Sequence, residues 1–415
     1  MISSVSAIRD RFPALQRIHE GKTVAYFDGP GGTQVPASVA GAVSDYLLRH
    51  NANTHWGFPT SAETDAVVAG ARAAMADFLD GSPDEIVFGP NMTTLTFHVA
   101  RALGRRFPPG SEIVVTELDH RANVDPWLDM ARMWNFEVRT VPFRSDTGTL
   151  ELSDFESVVN SRTRLIAVGG ASNALGSVND VEAVSAIARR HDSLLFVDAV
   201  HSTPHLPVSV EVLGCDLLAC SPYKFYGPHV GVLWGRRDLL EELDAPRLQP
   251  AGEHAPERLE TGTLNHEGIA GTLAAVEFLA SLDSSSGERH ARLGRVMQEM
   301  HHRGDQLASR MWQGLSAIEG VRVFGPAAGT APRTPTVSFV VDGVVSAEVS
   351  RRLASEHAVF CSYGDFYASD VTKRLGVEVT GLVRAGAACY TDFEEVDRLI
   401  DGVSAVARSA GSRSP

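Results

Sequence analysis

The stretch Leu194-Leu195-Phe196-Val197-Asp198-Ala199-Val200-His201 is an apolar run that ends in a carboxylate. A second run, Ala219-Cys220-Ser221-Pro222-Tyr223-Lys224-Phe225-Tyr226-Gly227-Pro228, places Lys224 26 residues after Asp198. Apolar runs of this kind, without alternation, are those of parallel strands covered on both faces. In an open α/β sheet the carboxyl ends of the strands line the ligand crevice. A lysine and an aspartate delivered there by two strands match what pyridoxal phosphate needs. The lysine forms a Schiff base with the aldehyde, and the carboxylate holds a proton on the pyridine nitrogen, which keeps the ring an electron sink. A lysine after a strand is also a common solvated residue, and an aspartate there a common helix cap. The flanking motifs decide between these readings.

Outward from this pair the chain alternates. Residues 113–116, 136–141, 165–168, 194–198 and 231–234 read as strands. Residues 122–134 and 180–190 carry helical spacing, the second opened by Asn179-Asp180 as a cap. This order predicts βαβ units and a mostly parallel sheet. Asp283-Ser284-Ser285-Ser286-Gly287 reads as a break. Beyond it come a long helix over 288–318, strands at 321–324 and 336–341, a helix at 347–357, a strand at 358–361 and an apolar run from Gly381. The reading is an α/β protein with a large mostly parallel domain at 26–283 and a smaller α+β domain at 284–415. Residues 1–25 are expected to pack on the small domain, and 405–415 to fray for want of anything to bury.

Composition narrows the class. A chain of 415 residues with 44% hydrophobic and 21% charged residues has the make-up of a two-domain enzyme. A formal net charge of −14 argues against nucleic acid or an anionic membrane surface as partner. The N-terminal residues lack a basic region followed by an apolar stretch, and no apolar run has the length of a membrane span. Four cysteines do not make a disulfide framework, and none has metal-ligand spacing. A reducing cytoplasm fits.

Six motifs then carry a resemblance: Tyr26-Phe27-Asp28, Glu117-Leu118-Asp119-His120-Arg121-Ala122-Asn123, Ser172-Asn173-Ala174-Leu175-Gly176, Val197-Asp198-Ala199-Val200-His201, Ser221-Pro222-Tyr223-Lys224 and Arg258-Leu259-Glu260-Thr261-Gly262-Thr263. In this order they resemble the class V aminotransferase family of fold-type I pyridoxal-phosphate enzymes, and within it the cysteine desulfurase-like group, from about Tyr26 to Leu399. The resemblance implies pyridoxal 5'-phosphate bound to Lys224, with Asp198 on the pyridine nitrogen and His120 flat on the ring. It puts His201 beside the phenolic oxygen and Asn173 on the phenolic side or on the substrate. Asn91-Met92-Thr93 opens a helix where backbone N–H groups favour an anion, so it is expected to hold the phosphate, Met92 through its N–H alone. Ser221 is a second phosphate donor, and Tyr223 stands where many relatives carry a histidine. The resemblance also implies a homodimer with shared active sites, in which Gly262 and Thr263 reach the neighbour's phosphate. Arg384 matches the arginine that clamps the substrate α-carboxylate, a bidentate task suited to guanidinium.

The chain departs from the desulfurase pattern at one decisive place. Residues 358–368 read Ala-Val-Phe-Cys-Ser-Tyr-Gly-Asp-Phe-Tyr-Ala, and alignment on Gly364 and Ala368 puts Tyr367 where the nucleophilic cysteine stands. Cys361 lies six residues earlier, at the end of a predicted strand. A thiol must be exposed and ionisable to attack sulfur. The expectation is therefore β-elimination from an amino acid or cysteine S-conjugate through a quinonoid, as a C–S lyase. Asp365, Tyr363 and Tyr367 are candidates to shape the substrate pocket. Transamination, epimerisation and decarboxylation are the alternatives, and a non-catalytic sulfur-transfer partner is a reading of a different class.

Overall fold

The structure is a computed structural model that describes residues 1–411. Its core is a sheet of seven strands: β1 Ile86–Gly89, β2 Glu112–Thr116, β3 Glu137–Val141, β4 Thr163–Gly169, β5 Leu194–Asp198, β6 Leu217–Cys220 and β7 Gly231–Gly235. The spatial order is β1-β7-β6-β5-β4-β2-β3. Pairings from β6 through β5, β4 and β2 to β3 are parallel, and β7 runs antiparallel between β1 and β6. Residues β2 and β4–β7 offer are almost all buried, as unbroken apolar runs covered on both faces require.

The crossovers follow local chemistry. The helix Val181–Arg190 begins where the Asp180 carboxylate accepts from Ala183 N at 3.0 Å, and buries Val181, Val184, Ile187 and Ala188. The helix Asp125–Trp134 turns Trp127 inward onto Phe196 of β5, edge to face at 4.9 Å. Such a pair adds about 0.5–1.5 kcal/mol beyond its buried area.

A second sheet holds β8 Val321–Phe324, β9 Thr336–Val341, β10 Ser362–Gly364 and β11 Leu382–Gly386, in the antiparallel order β8-β9-β11-β10. The serine-rich stretch after 283 is a tied turn: the Asp283 carboxylate accepts from Ser285 N and Ser285 Oγ at 2.9 and 2.7 Å and from Arg295 Nε at 2.6 Å. The helix Arg289–Ser316 that follows belongs to both domains. Leu293, Val296 and Met297 lie in the core of the large sheet, and Leu307, Met311 and Leu315 in that of the small one.

The N-terminal segment, expected to pack on the small domain, touches both domains. Ile8 and Phe12 bury into the large core, with Phe12 against Phe278, Tyr226 and Tyr390. Arg9 reaches across to Glu395 with bonds of 2.9 and 3.0 Å, so the segment clasps both domains. Ala25–Tyr26 pair with Val359–Phe360. Residues 405–410 were expected to fray but continue the helix Phe393–Gly411, because Val406 is fully buried. The remainder of that expectation, 412–415, lies outside the described residues.

Candidate active site

Every strand of the large sheet that runs parallel to β5 ends on the same side, and the segments leaving β1, β2, β4, β5 and β6 surround one cavity of about 720 Å³. Asp198 closes β5, Lys224 ends the single turn Pro222–Lys224 after β6, His120 follows β2, Asn173 follows β4, and Asn91 follows β1. The small domain closes the cavity with Arg384 of β11 and residues 363–367.

Lys224 and Asp198 are both more than nine-tenths buried. Lys224 Nζ donates to the Pro30 carbonyl and lies 4.8 Å from the centre of the Tyr223 ring. Burial, reinforced by Arg384, lowers the Lys224 ammonium to about 7, against the pull of Asp28 and Asp198. Burial raises the Asp198 carboxyl to about 6, opposed by the Val200 N–H that donates to it at 2.9 Å and by Lys224. At neutral pH the site therefore holds an amine about half of which is neutral, and a buried carboxylate.

His120 is kept neutral: burial, then Lys224 and Arg384, bring its imidazolium down to about 4. Its Nδ1 accepts from Ala122 N at 3.0 Å, which leaves the ring proton on Nε2. His201 is held by two hydroxyls of the small domain, Thr334 and Thr336, at 3.0 and 3.1 Å from Nε2. Burial lowers its imidazolium far below the usual range.

Arg384 is almost fully buried, with Nη1 donating to the Asn173 carbonyl at 3.0 Å and Nη2 to Ser362 Oγ at 3.1 Å. Burial lowers its pKa to about 10, so it stays charged at neutral pH. Its guanidinium lies 4.0 Å from the centre of the Phe366 ring. Because the resemblance implies a substrate α-carboxylate on Arg384, Arg384→Ala is expected to raise KM at least tenfold with a smaller loss in kcat, read from steady-state kinetics.

Asn91 caps the helix Met92–Arg106, its Oδ1 accepting from Thr94 N at 2.8 Å. The cap sits directly against Gly231 of β7, where any Cβ would collide with the Asn91 backbone. Ser221 is buried beside it, and Tyr223 is stacked on His229 at 4.8 Å. Thus Asn91, Met92, Thr93, His120, Asn173, Asp198, His201, Ser221, Tyr223, Lys224, Asp365, Tyr367 and Arg384 share one cavity.

Gly262 and Thr263 do not join them. They line a separate cleft of about 1000 Å³ with His55, Trp56 and Leu248. Cys361 also stands apart, in the small-domain core, where burial pushes its thiol to about 12.

Sequence reasoning passed over Asp119 and Phe366. Asp119 accepts from Thr116 Oγ1 at 2.6 Å and is raised to about 7 by burial, with Asp198 adding to the effect. The signal was its place one residue before His120, at a strand end. Thr334 and Thr336 were missed as well, since nothing local announces contact with a histidine more than 130 residues away.

The arrangement suits pyridoxal phosphate on its own terms. Three residues lining the cavity carry buried polar atoms without a hydrogen-bond partner: His201 Nδ1, Asn173 Oδ1 and Arg384 Nε. Together with a near-neutral lysine, a buried carboxylate and a helix N-terminus, they answer an aldehyde, a pyridine nitrogen and a phosphate.

Fold and site define a class of enzyme, and comparison with known proteins agrees. The model of the family "Aminotransferase class-V" matches residues 25–399. The chain belongs to that family and is a pyridoxal-phosphate-dependent enzyme. It is 30% identical over 412 residues to a probable cysteine desulfurase of Halalkalibacterium halodurans, covering 95% of this chain and 96% of the relative. Among solved structures it is similar to the apo cysteine desulfurase of Thermococcus onnurineus NA1, with a TM-score of 0.88, 28% identity and 99% of each chain covered. The cysteine desulfurase CsdA of Escherichia coli is similar at a TM-score of 0.85 and 26% identity, over 99% of this chain and 100% of that one. No helix among the described residues is long and apolar enough to cross a membrane.

Proposed function

We propose that the protein is a C–S lyase that breaks the Cβ–S bond of a cysteine derivative by β-elimination, without a sulfur-accepting thiol of its own. The observation that carries this reading is the state of its cysteines. All four are free and buried, and none lines the cavity. Burial pushes Cys215, Cys361 and Cys389 to about 12, and Cys220 higher still. A thiol must be ionised and accessible to accept sulfur, and these are neither. The desulfurase relatives support chemistry at sulfur, while Tyr367 stands where the resemblance places their nucleophile.

In this reading the bound cofactor supplies an electron sink conjugated to the substrate Cα. The residues of the chain do the rest. Arg384 grips the α-carboxylate and so fixes the amino acid about Cα. Asp198 holds a proton on the pyridine nitrogen. Lys224, chiefly neutral above pH 7, takes the Cα proton. His120, neutral at pH 7, would offer its ring face to the cofactor. The Cβ–S bond breaks with its electron pair on sulfur, and the balanced products with one water are a thiol, pyruvate and ammonium.

Cys361→Ser tests the reading. It is expected to keep most of the parent kcat/KM, followed as pyruvate and thiol release from S-substituted cysteines. Loss of all activity in this variant, with its fold intact by circular dichroism, would sink the proposal.

We further propose a homodimer with shared active sites. Gly262 and Thr263 line one cleft with Trp56, and within residues 47–58 the side chains of Leu47, Leu48, Trp56 and Phe58 are exposed, Leu48 by 79% and Trp56 by 63%. Four large apolar side chains exposed within twelve residues support burial of this segment against another surface. Lys224→Ala and Thr263→Trp proteins, each inactive alone, should recover measurable activity when mixed under subunit exchange. No recovery despite proven exchange would mean that each chain builds its own site. Four free cysteines fit a reducing cytoplasm.

A further inference from the structure

At the mouth of the cavity, four aromatic side chains surround the space left between the carboxylate clamp and the ring-stacking histidine. Phe97 comes from the second turn of the helix Met92–Arg106, and Tyr363, Phe366 and Tyr367 come from the small domain. Phe366 lies under the Arg384 guanidinium, and Tyr367 lies 5.4 Å from the His120 ring at an interplanar angle of 34°. Tyr363 and Tyr367 are 55% and 71% exposed. Two large aromatic rings left open to solvent beside a catalytic cavity are a surface waiting for apolar contact.

The segment that carries these rings is pinned. Arg121 N donates to the Tyr367 carbonyl at 2.7 Å, and Asn173 Nδ2 to the Phe366 carbonyl at 2.9 Å. Arg121 Nη1 bonds Asp370 at 2.8 Å, and Tyr367 N bonds Asp365 Oδ1 at 3.0 Å. Phe366 and Tyr367 both sit in the left-handed region, at φ of 57° and 56°. Two consecutive non-glycine residues hold that conformation only when their surroundings impose it. Here the large domain imposes it, through Arg121 and Asn173, and the aromatic wall is thereby fixed in place over the cavity.

We infer that the substrate is a cysteine S-conjugate whose sulfur carries an aromatic or similarly bulky apolar group, received by the wall of Phe97, Tyr363, Phe366 and Tyr367. The inference rests on the C–S lyase reading and names its substrate class. With the α-carboxylate on Arg384 and Cα beside Lys224, the sulfur substituent points to the one side of the cavity rich in rings. Cleavage breaks Cβ–S with the pair on sulfur, which takes up a proton; Lys224 takes the Cα proton, and with one water the products are the thiol, pyruvate and ammonium. A bare thiol has nothing to offer these rings, so free cysteine is the poorer substrate.

The test compares S-benzyl-L-cysteine, S-methyl-L-cysteine and L-cysteine on the holoenzyme. The first two release alkyl thiols of similar leaving ability, so the pocket alone separates them. The expected preference for S-benzyl-L-cysteine in kcat/KM is on the order of tenfold to a hundredfold, expressed in KM. Tyr367→Ala and Tyr363→Ala should each shrink that ratio severalfold. Thiol release at equal efficiency from all three substrates would overturn the inference. Binding is read in parallel from the change in cofactor absorbance, which needs no cleavage. Preferential binding of S-benzyl-L-cysteine without thiol release from any substrate would sustain the aromatic site and overturn the lyase reading. Equal binding with no release would overturn both.

Discussion

A Lys224→Ala protein should show no turnover above the level of free cofactor while keeping its fold. The amine is more than nine-tenths buried at the cavity floor, between two strand ends that no other lysine approaches in the sequence. Burial and Arg384 lower it to about 7, so above that pH it is chiefly neutral and nucleophilic. Two measurements follow. Borohydride reduction of the parent holoenzyme should leave the cofactor label on Lys224 in a peptide map, and a label elsewhere would remove it from the centre of the account. The rate at which cofactor-free enzyme takes up pyridoxal phosphate should rise with pH, with its midpoint near 7. A rate still climbing toward pH 10 would mean that the lysine has an ordinary pKa.

Asp198→Asn is expected to cost on the order of a hundredfold or more in kcat, because a charge preorganised at a buried site is lost while size is kept. The same change should help the cofactor-free fold. Burial raises the Asp198 carboxyl in the folded chain from 3.8 to about 6, so the ionised form disfavours folding. That cost is absent below about pH 4, grows as pH rises toward 6, and is complete above it. At pH 7.5 the variant should be more stable than the parent by roughly 2–4 kcal/mol, and the difference should vanish near pH 4. Near-normal turnover in the variant, or a loss of stability at pH 7.5, would make the carboxylate a structural element only.

The parts of the site carried on single strands were legible from the chain. The apolar runs before Asp198 and Lys224 announce buried strands, and in the structure Asp198 ends β5 while Lys224 ends the turn that follows β6. Asn91 and His120 likewise follow strands whose apolar runs or motifs could be read locally. What was hidden depends on contact between distant segments. The clamp of Thr334 and Thr336 on His201 arises because β9 begins against the segment after β5, and short polar residues at a strand start look like any turn. Phe366 reads as an ordinary loop aromatic until Arg384 is seen on its face. The run of serines after 283 has linker composition, yet the Asp283 and Arg295 side chains tie it into a turn. The helix beyond it is amphipathic throughout, and no local signal tells that its two ends serve different cores.

The central claim is that sulfur leaves the substrate without passing to the protein. Its most direct test is a single turnover of the holoenzyme with L-cysteine and, separately, with S-benzyl-L-cysteine, quenched in an alkylating trap and followed by intact-protein and peptide mass spectrometry alongside product analysis. The account predicts pyruvate and free thiol or sulfide in equal amounts, with Cys215, Cys220, Cys361 and Cys389 carrying no added sulfur. Alanine as the product of L-cysteine, together with a trapped persulfide on Cys361, would contradict it.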